Sequence, residues 1–302
     1  RVRSNNDVSA IKEGYSLYVE EVPQLVDLKL NNKCNLKCRM CQPRDSHQIY
    51  NEFSNILNED SDFRFFQNAN LTDPELNIDI NNIPNWEDDP DFYKKLKKLL
   101  PSIKKLSLVG GEPLILEQLY KLLDLIIDEG HANHIFLTIT TNLMTLRKDR
   151  IKDYFQSFDK VMILVSLDAI GHELNYIRYP SDFKKIDANF RDIYEGSKLP
   201  GADVYFGFAL TIQLYNALYL ADIFYYIETL IRDGYNFPDN IISFTYLSFP
   251  EHLHIKNLPP ELRVLAKRKL DNFFKDSRYL KRQLKFLKAY KHLLGVISEE
   301  PA

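Results

Sequence analysis

The sequence predicts an α/β protein built on a parallel sheet or barrel, and three observations carry that expectation. Six short runs rich in β-branched and aromatic residues alternate with longer stretches of helical periodicity. Polar, glycine-containing or cysteine-containing residues fall repeatedly just after a β-rich run, the end at which parallel α/β folds bind ligands. The length, 302 residues, is one that α/β barrels commonly reach as a single large domain.

The first strand is expected at Gln24–Leu30 (QLVDLKL), where apolar and polar residues alternate, and it runs directly into three cysteines. The others are expected at Lys104–Val109 before Gly110-Gly111, His134–Thr140 before Thr141-Asn142, Lys160–Ser166 before Asp168, Asp203–Ile212 before Asn216, and Ile241–Leu247 before Pro250. Helices are expected at Asp91–Leu100, Glu117–Gly130, Asp149–Phe158, Ser181–Gly196 and Ala217–Gly234, with Gly130 and Gly234 as C-terminal stops. Strand–helix alternation of this kind makes neighbouring strands parallel.

Two regions interrupt the alternation. Ser46–Pro90 is rich in Asn and Asp and holds the only tryptophan, Trp86, and it reads as an insertion serving as a lid or substrate-facing loop. Pro259–Gly295 reads as one or two amphipathic helices packed against the barrel or a neighbouring chain. The expected division is an N-terminal extension (1–21), a barrel (22–250, carrying the insertion 46–90) and a helical C-terminal extension (251–302).

Composition narrows the function. A formal net charge of −3 lacks the basic excess of a nucleic-acid binder, and a 45% hydrophobic, 27% charged chain is not disordered in composition. No stretch approaches the ~18 apolar residues of a membrane span, and the first residues lack the apolar core of a signal peptide. No membrane partner and a cytoplasmic location are the expectations. The chain opens on Arg rather than Met, which suggests a trimmed start.

The three cysteines, Cys34, Cys38 and Cys41, are all the chain has, and they share one loop with Lys33, Lys37 and Arg39. An odd, clustered set is not a disulfide framework. Soft thiolates this close can converge on one metal or cluster. Structural zinc usually takes four ligands, and the seven histidines supply no matching pair, His47 being the nearest. A four-iron cluster held by three cysteines would leave one iron open to an exogenous molecule.

The segment CNLKCRMC, placed after a first strand, resembles the C-x3-C-x2-C motif of the radical S-adenosylmethionine (SAM) enzymes. Gly110-Gly111-Glu112-Pro113 resembles that family's GGE(P) segment, and Ser166 with Arg178 resembles the serine and arginine of its SPASM and twitch subgroup. The segments TTNL, VSLDAIGHELNYIRYP, LTIQLYN and FPEHLHIKNLPPEL resemble twitch-domain members in order, so the likeness covers roughly residues 22 to 262. Two departures stand out: no cysteine follows Cys41, which rules out an auxiliary cluster within these residues, and Met40 replaces the common aromatic residue before the third cysteine.

The resemblance implies a partial (β/α)6 TIM-like barrel with a helical C-terminal extension, one [4Fe-4S] cluster on Cys34, Cys38 and Cys41, and SAM held by Met40, Gly110, Gly111, Glu112, Asn142, Ser166 and Arg178. It implies one-electron reductive cleavage of SAM to a 5′-deoxyadenosyl radical that takes hydrogen from a substrate, a peptide or small metabolite, with a flavodoxin- or ferredoxin-type electron donor. Only roughly two dozen residues precede the first strand, too few for a leader-recognition domain, so recognition of a peptide would need a separate partner or another surface. Asp168 is the candidate catalytic residue; Gln42, Arg44, His47, Asn216 and Tyr246 are substrate-side candidates. With one cluster, the C-terminal helices are expected to cap the barrel without iron. The rival reading is a non-catalytic iron-sulfur or zinc-binding interaction protein on a degenerate barrel.

Overall fold

A computed structural model describes residues 22–59, 89–239 and 241–298. The expected N-terminal extension and most of the expected insertion, with Trp86, lie outside the described residues. The strands are β1 (Leu25–Lys29), β2 (Lys37–Cys38), β3 (Lys105–Val109), β4 (Phe136–Thr141), β5 (Lys160–Ser166), β6 (Arg178–Tyr179), β7 (Val204–Ile212) and β8 (Ile242–Tyr246). Six of them form one sheet of order β1-β3-β4-β5-β7-β8, parallel at every pairing, while β2 and β6 form a two-stranded antiparallel ribbon. The sheet is a half-barrel with β1 and β8 as its edges.

Each strand turns alternate residues to opposite faces. On the outer face Leu106, Leu108, Leu137, Ile139, Ile163 and Phe208 are buried under helices. Phe208, for example, lies against Phe190 and Tyr226 with ring centroids 5.6 and 6.2 Å apart. The opposite, concave face carries Ser107, Ser166, Ser243 and Thr245, all at least partly accessible. Burying an aliphatic or aromatic side chain is worth about 1.5–3 kcal/mol, so the outer face holds the fold; on the inner face Thr138 and Met162 are buried between these more accessible positions.

The helices are α1 (His47–Glu59), α2 (Pro90–Leu99), α3 (Glu117–Asp128), α4 (Lys148–Ile151), α5 (Gly171–Ile177), α6 (Phe183–Gly196), α7 (Leu220–Arg232), α8 (Pro260–Asp276) and α9 (Leu284–Ser298). Their ends follow local chemistry. Asp89 caps α2 by accepting from the Asp91 N–H, with Pro90 at the first turn. After α3, Gly130 takes φ +76°, which lets the His131 N–H reach the Ile126 carbonyl at 3.1 Å. Asp182 accepts from the Lys184 N–H at 2.9 Å, so α6 begins two residues later than Ser181.

Three expectations shift. The helix expected at Asp149–Phe158 is one α-turn followed by a 3-10 turn over Lys152–Tyr154, although Ile151, Phe155 and Phe158 all turn inward as helical spacing requires. The start of the expected insertion is not loop but α1. The C-terminal helices do not cap the barrel mouth: they pack on the outer, helix-covered face at the β8 edge. Phe224 of α7 meets Phe273 and Phe286 at 5.3 and 5.2 Å, and Phe286 meets Phe244 of β8 at 6.4 Å. Among the described residues no helix is long and apolar enough to cross a membrane.

Candidate active site

The cysteine loop is fastened by backbone before any side chain is considered. The Leu30 N–H donates to the Val109 carbonyl at 2.9 Å, then the Gly111 N–H to Asn31 at 2.7 Å and the Glu112 N–H to Lys33 at 2.8 Å, extending the β1–β3 ladder into the loop. A Cβ on Gly111 would stand 2.2 Å from the Lys33 carbonyl oxygen, so only glycine fits. The close approach here is to the cysteine loop itself.

Helix α1 grips the same loop from the other side. Ser46 Oγ donates to the Leu36 carbonyl at 3.1 Å, His47 Nδ1 accepts the Cys34 N–H at 3.1 Å, and Gln48 Nε2 donates to the Cys34 carbonyl at 2.9 Å. The β2–β6 ribbon sets Cys38 opposite Arg178, and the Arg39 N–H donates to the Ile177 carbonyl at 2.9 Å. Cys34 and Cys38 are buried and Cys41 half-buried.

These thiols differ electrostatically. Burial pushes Cys34 up to about 12, against the Leu36 N–H that points at its sulfur from 3.4 Å. Cys38 is held below its ordinary value because it accepts from the Cys41 thiol and has Arg178 beside it; donating that bond, with burial, holds Cys41 well above. Arg178 Nη1 is 3.9 Å from Cys38 Sγ.

Glu112 joins the ends of β3 and β4. It is 1% exposed, and its Oε1 accepts from Thr141 Oγ1 at 2.6 Å and the Leu114 N–H at 3.1 Å, its Oε2 from the Asn142 N–H at 2.7 Å. Burial raises its carboxyl to about 7; the three donors pull the other way. Asn142 continues the chain of contacts, donating to Asn35 Oδ1 at 2.8 Å with its Nδ2 at 4.0 Å from Cys34 Sγ. The next residue, Leu143, is buried and holds a left-handed φ of +55°, its N–H on Thr141 Oγ1 and its carbonyl on Asn189 Nδ2.

Asp168, just after β5, ties that strand to β6 through a charge pair and to β7 through a backbone hydrogen bond. Asp168, fully buried, accepts from Arg178 Nε on Oδ2 at 2.7 Å and from the Thr211 N–H on Oδ1 at 2.7 Å. Burial opposes the Arg178 charge, and Asp168 holds that group above its ordinary value. Met40 is buried in the cysteine loop and Ser166 half-buried at the end of β5.

The substrate-side candidates scatter. His47 is engaged by the Cys34 N–H. Asn216 is buried and finishes β7, accepting the Gln213 N–H and donating to the Thr211 carbonyl. Tyr246 stacks on His292 of α9 at 5.0 Å, on the helix side of the sheet. Gln42 and Arg44 stay on the rim just after the third cysteine, Gln42 half-buried and Arg44 exposed.

Sequence reasoning did not single out Thr141, Asn35, Thr211 or Tyr176. The Arg39 guanidinium lies 3.9 Å over the Tyr176 ring, and Tyr176 meets Tyr215 edge-on at 5.4 Å. Thr141 and Tyr176 sit within segments already notable as TTNL and NYIRYP; the Thr211 contribution is a backbone N–H, which no side-chain pattern reports.

A family model described as the radical SAM superfamily matches residues 28–207. The chain belongs to the radical SAM superfamily. Solved structures similar to this radical SAM chain include native anSMEcpe with bound AdoMet (15% identity, TM-score 0.52, covering 88% of this chain and 62% of that one) and the same enzyme with AdoMet and the Cp18Cys peptide (15%, 0.50, 83% and 60%). Streptococcus suis SuiB bound to S-adenosylmethionine also matches, at 13% identity and TM-score 0.46, over 87% of this chain and 49% of that one. The chain thus spans about 60% of the length of the anSMEcpe structures. No curated protein matches.

The family implies a [4Fe-4S] cluster and SAM, and the donor set is chemically suited to the cluster. Three thiols share one clamped loop, while His47 has a ring nitrogen committed to the loop backbone. Among the described residues no three His, Cys, Asp or Glu side chains gather tightly enough for a single metal ion. Three thiols in one loop, without a fourth protein ligand beside them among the described residues, suit a cluster with one open iron better than structural zinc, which usually takes four protein ligands.

Proposed function

We propose that this protein is a radical SAM enzyme that holds one [4Fe-4S] cluster on Cys34, Cys38 and Cys41, binds SAM at the open iron and abstracts hydrogen from a substrate bound at the concave face. Bound there, cluster and SAM supply a one-electron reductive cleavage of the sulfonium to a 5′-deoxyadenosyl radical. The observation that carries the reading is the clamping of a three-thiol loop by Gly111, α1 and the β2–β6 ribbon at the C-terminal rim of a parallel half-barrel.

The chain's own residues have distinct tasks in this reading. Ser166 offers a hydroxyl for the ribose, and the face of Arg178 not spent on Asp168 offers a cation for the SAM carboxylate. Glu112 keeps Asn142 and the end of β4 against the cysteine loop, and its carboxylate is available to the SAM ammonium where that cation supplies a stronger partner than its present donors. Asp168 orients Arg178 rather than touching substrate. Met40, buried in the cysteine loop, would offer an apolar side chain to the adenine and exclude water there. Within the superfamily we place the chain nearest the twitch subgroup, with a peptide or small metabolite as substrate and an external flavodoxin- or ferredoxin-type reductant.

Anaerobic reconstitution with iron and sulfide tests the reading. The protein is expected to gain the broad absorbance of a four-iron cluster and to release 5′-deoxyadenosine from SAM only when dithionite is added. Stoichiometric zinc uptake with no SAM turnover would sink the enzyme and favour the rival interaction protein.

A further inference from the structure

We propose that Arg178 sets the reduction potential of the cluster through Cys38, and that Asp168 is the positioning residue that aims it. The inference rests on the proposed function, because it needs the cluster on Cys38.

Three contacts on separate elements place the guanidinium. The β2–β6 ribbon makes Arg178 the direct cross-strand partner of Cys38. Asp168 holds Nε at 2.7 Å, and the Thr211 N–H at the end of β7 fixes the other oxygen of Asp168 at 2.7 Å. With Nε committed, Nη1 is directed at Cys38 Sγ, 3.9 Å away. The pair is largely shielded from water: side-chain exposure is 11% for Arg178 and 0% for Asp168.

Reduction adds one negative charge to the cluster and its thiolates. A buried cation beside one thiolate stabilises that charge in a weakly screening interior, and an N–H directed at sulfur withdraws density from it. Both effects raise the potential, making the first electron easier to deliver. Asp168 is anionic and by charge alone would lower the potential; its contribution to the site is direction, since its Oδ2 holds the Nε edge of the guanidinium and leaves Nη1 facing the sulfur. Removing either partner therefore shifts the potential the same way, although the two carry opposite charges.

The test is an EPR-monitored redox titration of the reconstituted full chain without SAM, with iron content measured for every variant. Wild type is compared with Arg178→Gln, Arg178→Lys, Asp168→Asn and a surface control, Arg147→Gln, whose arginine pairs with Glu117. At the wild-type midpoint, Arg178→Gln is expected to lower the ratio of reduced to oxidised cluster by about tenfold, the size of one partly screened charge contact. Arg178→Lys falls between, Asp168→Asn shifts in the same direction as Arg178→Gln, and Arg147→Gln does not move. Arg178→Gln with wild-type iron content and an unmoved midpoint overturns the proposal; Asp168→Asn moving toward easier reduction overturns the positioning role. If the Arg178 variants fail to load, wild-type protein grown with guanidinium-15N arginine decides: the reduced cluster is expected to show a 15N coupling that Arg39→Lys retains, and its absence overturns the contact. Wild type that takes up no iron instead fails the proposed function itself.

Discussion

The cysteine rim and the outer layer at the β8 edge are both densely packed, yet they are specified in different ways. Around the cysteine loop the positions are fixed by hydrogen bonds and by one glycine: Gly111 against Lys33, Glu112 on Thr141 and Asn142, Asp168 on Arg178 and Thr211. In the outer layer Phe224, Phe244, Phe273 and Phe286 form a run of ring contacts with no polar partner required. Interactions of the first kind are directional and lose their value over a few tenths of an ångström; those of the second scale with buried area and tolerate shape changes. The rim should therefore fail in function before it fails in stability, and the outer layer the reverse.

The largest stability effect belongs to the outer layer. Phe273→Ala empties a fully buried ring site and is expected to cost about 3–5 kcal/mol in urea unfolding. Protein that stays folded should still take up iron like wild type, and a selective loss of iron would break the contrast. Gly111→Ala comes next: a methyl 2.2 Å from the Lys33 carbonyl must push the cysteine loop away, at about 1–3 kcal/mol. Here iron uptake is expected to collapse while the circular dichroism of the barrel persists; normal iron content would show that the loop is not set by this contact.

Glu112 sharpens the comparison through pH. Its carboxyl is raised from 4.5 to about 7 by burial, so the native state holds the proton more tightly than the unfolded chain. The stabilisation is complete below about 4.5 and is lost as pH rises through about 7, a fall on the order of 3 kcal/mol across that window. Stability of the metal-free protein should decline over this range, and Glu112→Gln should flatten the decline. An unchanged slope in the variant would remove Glu112 from the account. The smallest effect lies far from the rim: Asp182→Ala removes the α6 cap, and thermal unfolding should report a loss of about 1 kcal/mol with iron uptake intact.

How far the sequence reached follows the same division. All six barrel strands lie where alternation and β-rich composition put them, because the outer face of each strand is a run of Leu, Ile, Val or Phe that only a covered sheet can bury. The three-cysteine spacing was equally plain, since covalent distance along the chain limits where those thiols can be. The wiring between them was not. The β2–β6 ribbon is two residues per strand, too short for any period, and Thr211 acts through its backbone. The helix α1 that begins at His47 was hidden in an Asn- and Asp-rich stretch, and the left-handed Leu143 breaks the rule that reserves such backbone for glycine. The segment Pro259–Gly295 was legible as amphipathic helix, and α8 and α9 lie there, but periodicity does not say which face of a barrel a helix will cover.

The central claim is that a three-thiol loop leaves one iron open for SAM, and EPR of the dithionite-reduced, reconstituted protein tests it most directly. Adding SAM is expected to change the g-values of the cluster signal, and Cys38→Ala to abolish the signal. A cluster spectrum that SAM leaves unaltered, or SAM cleavage that survives in Cys38→Ala, would contradict the account.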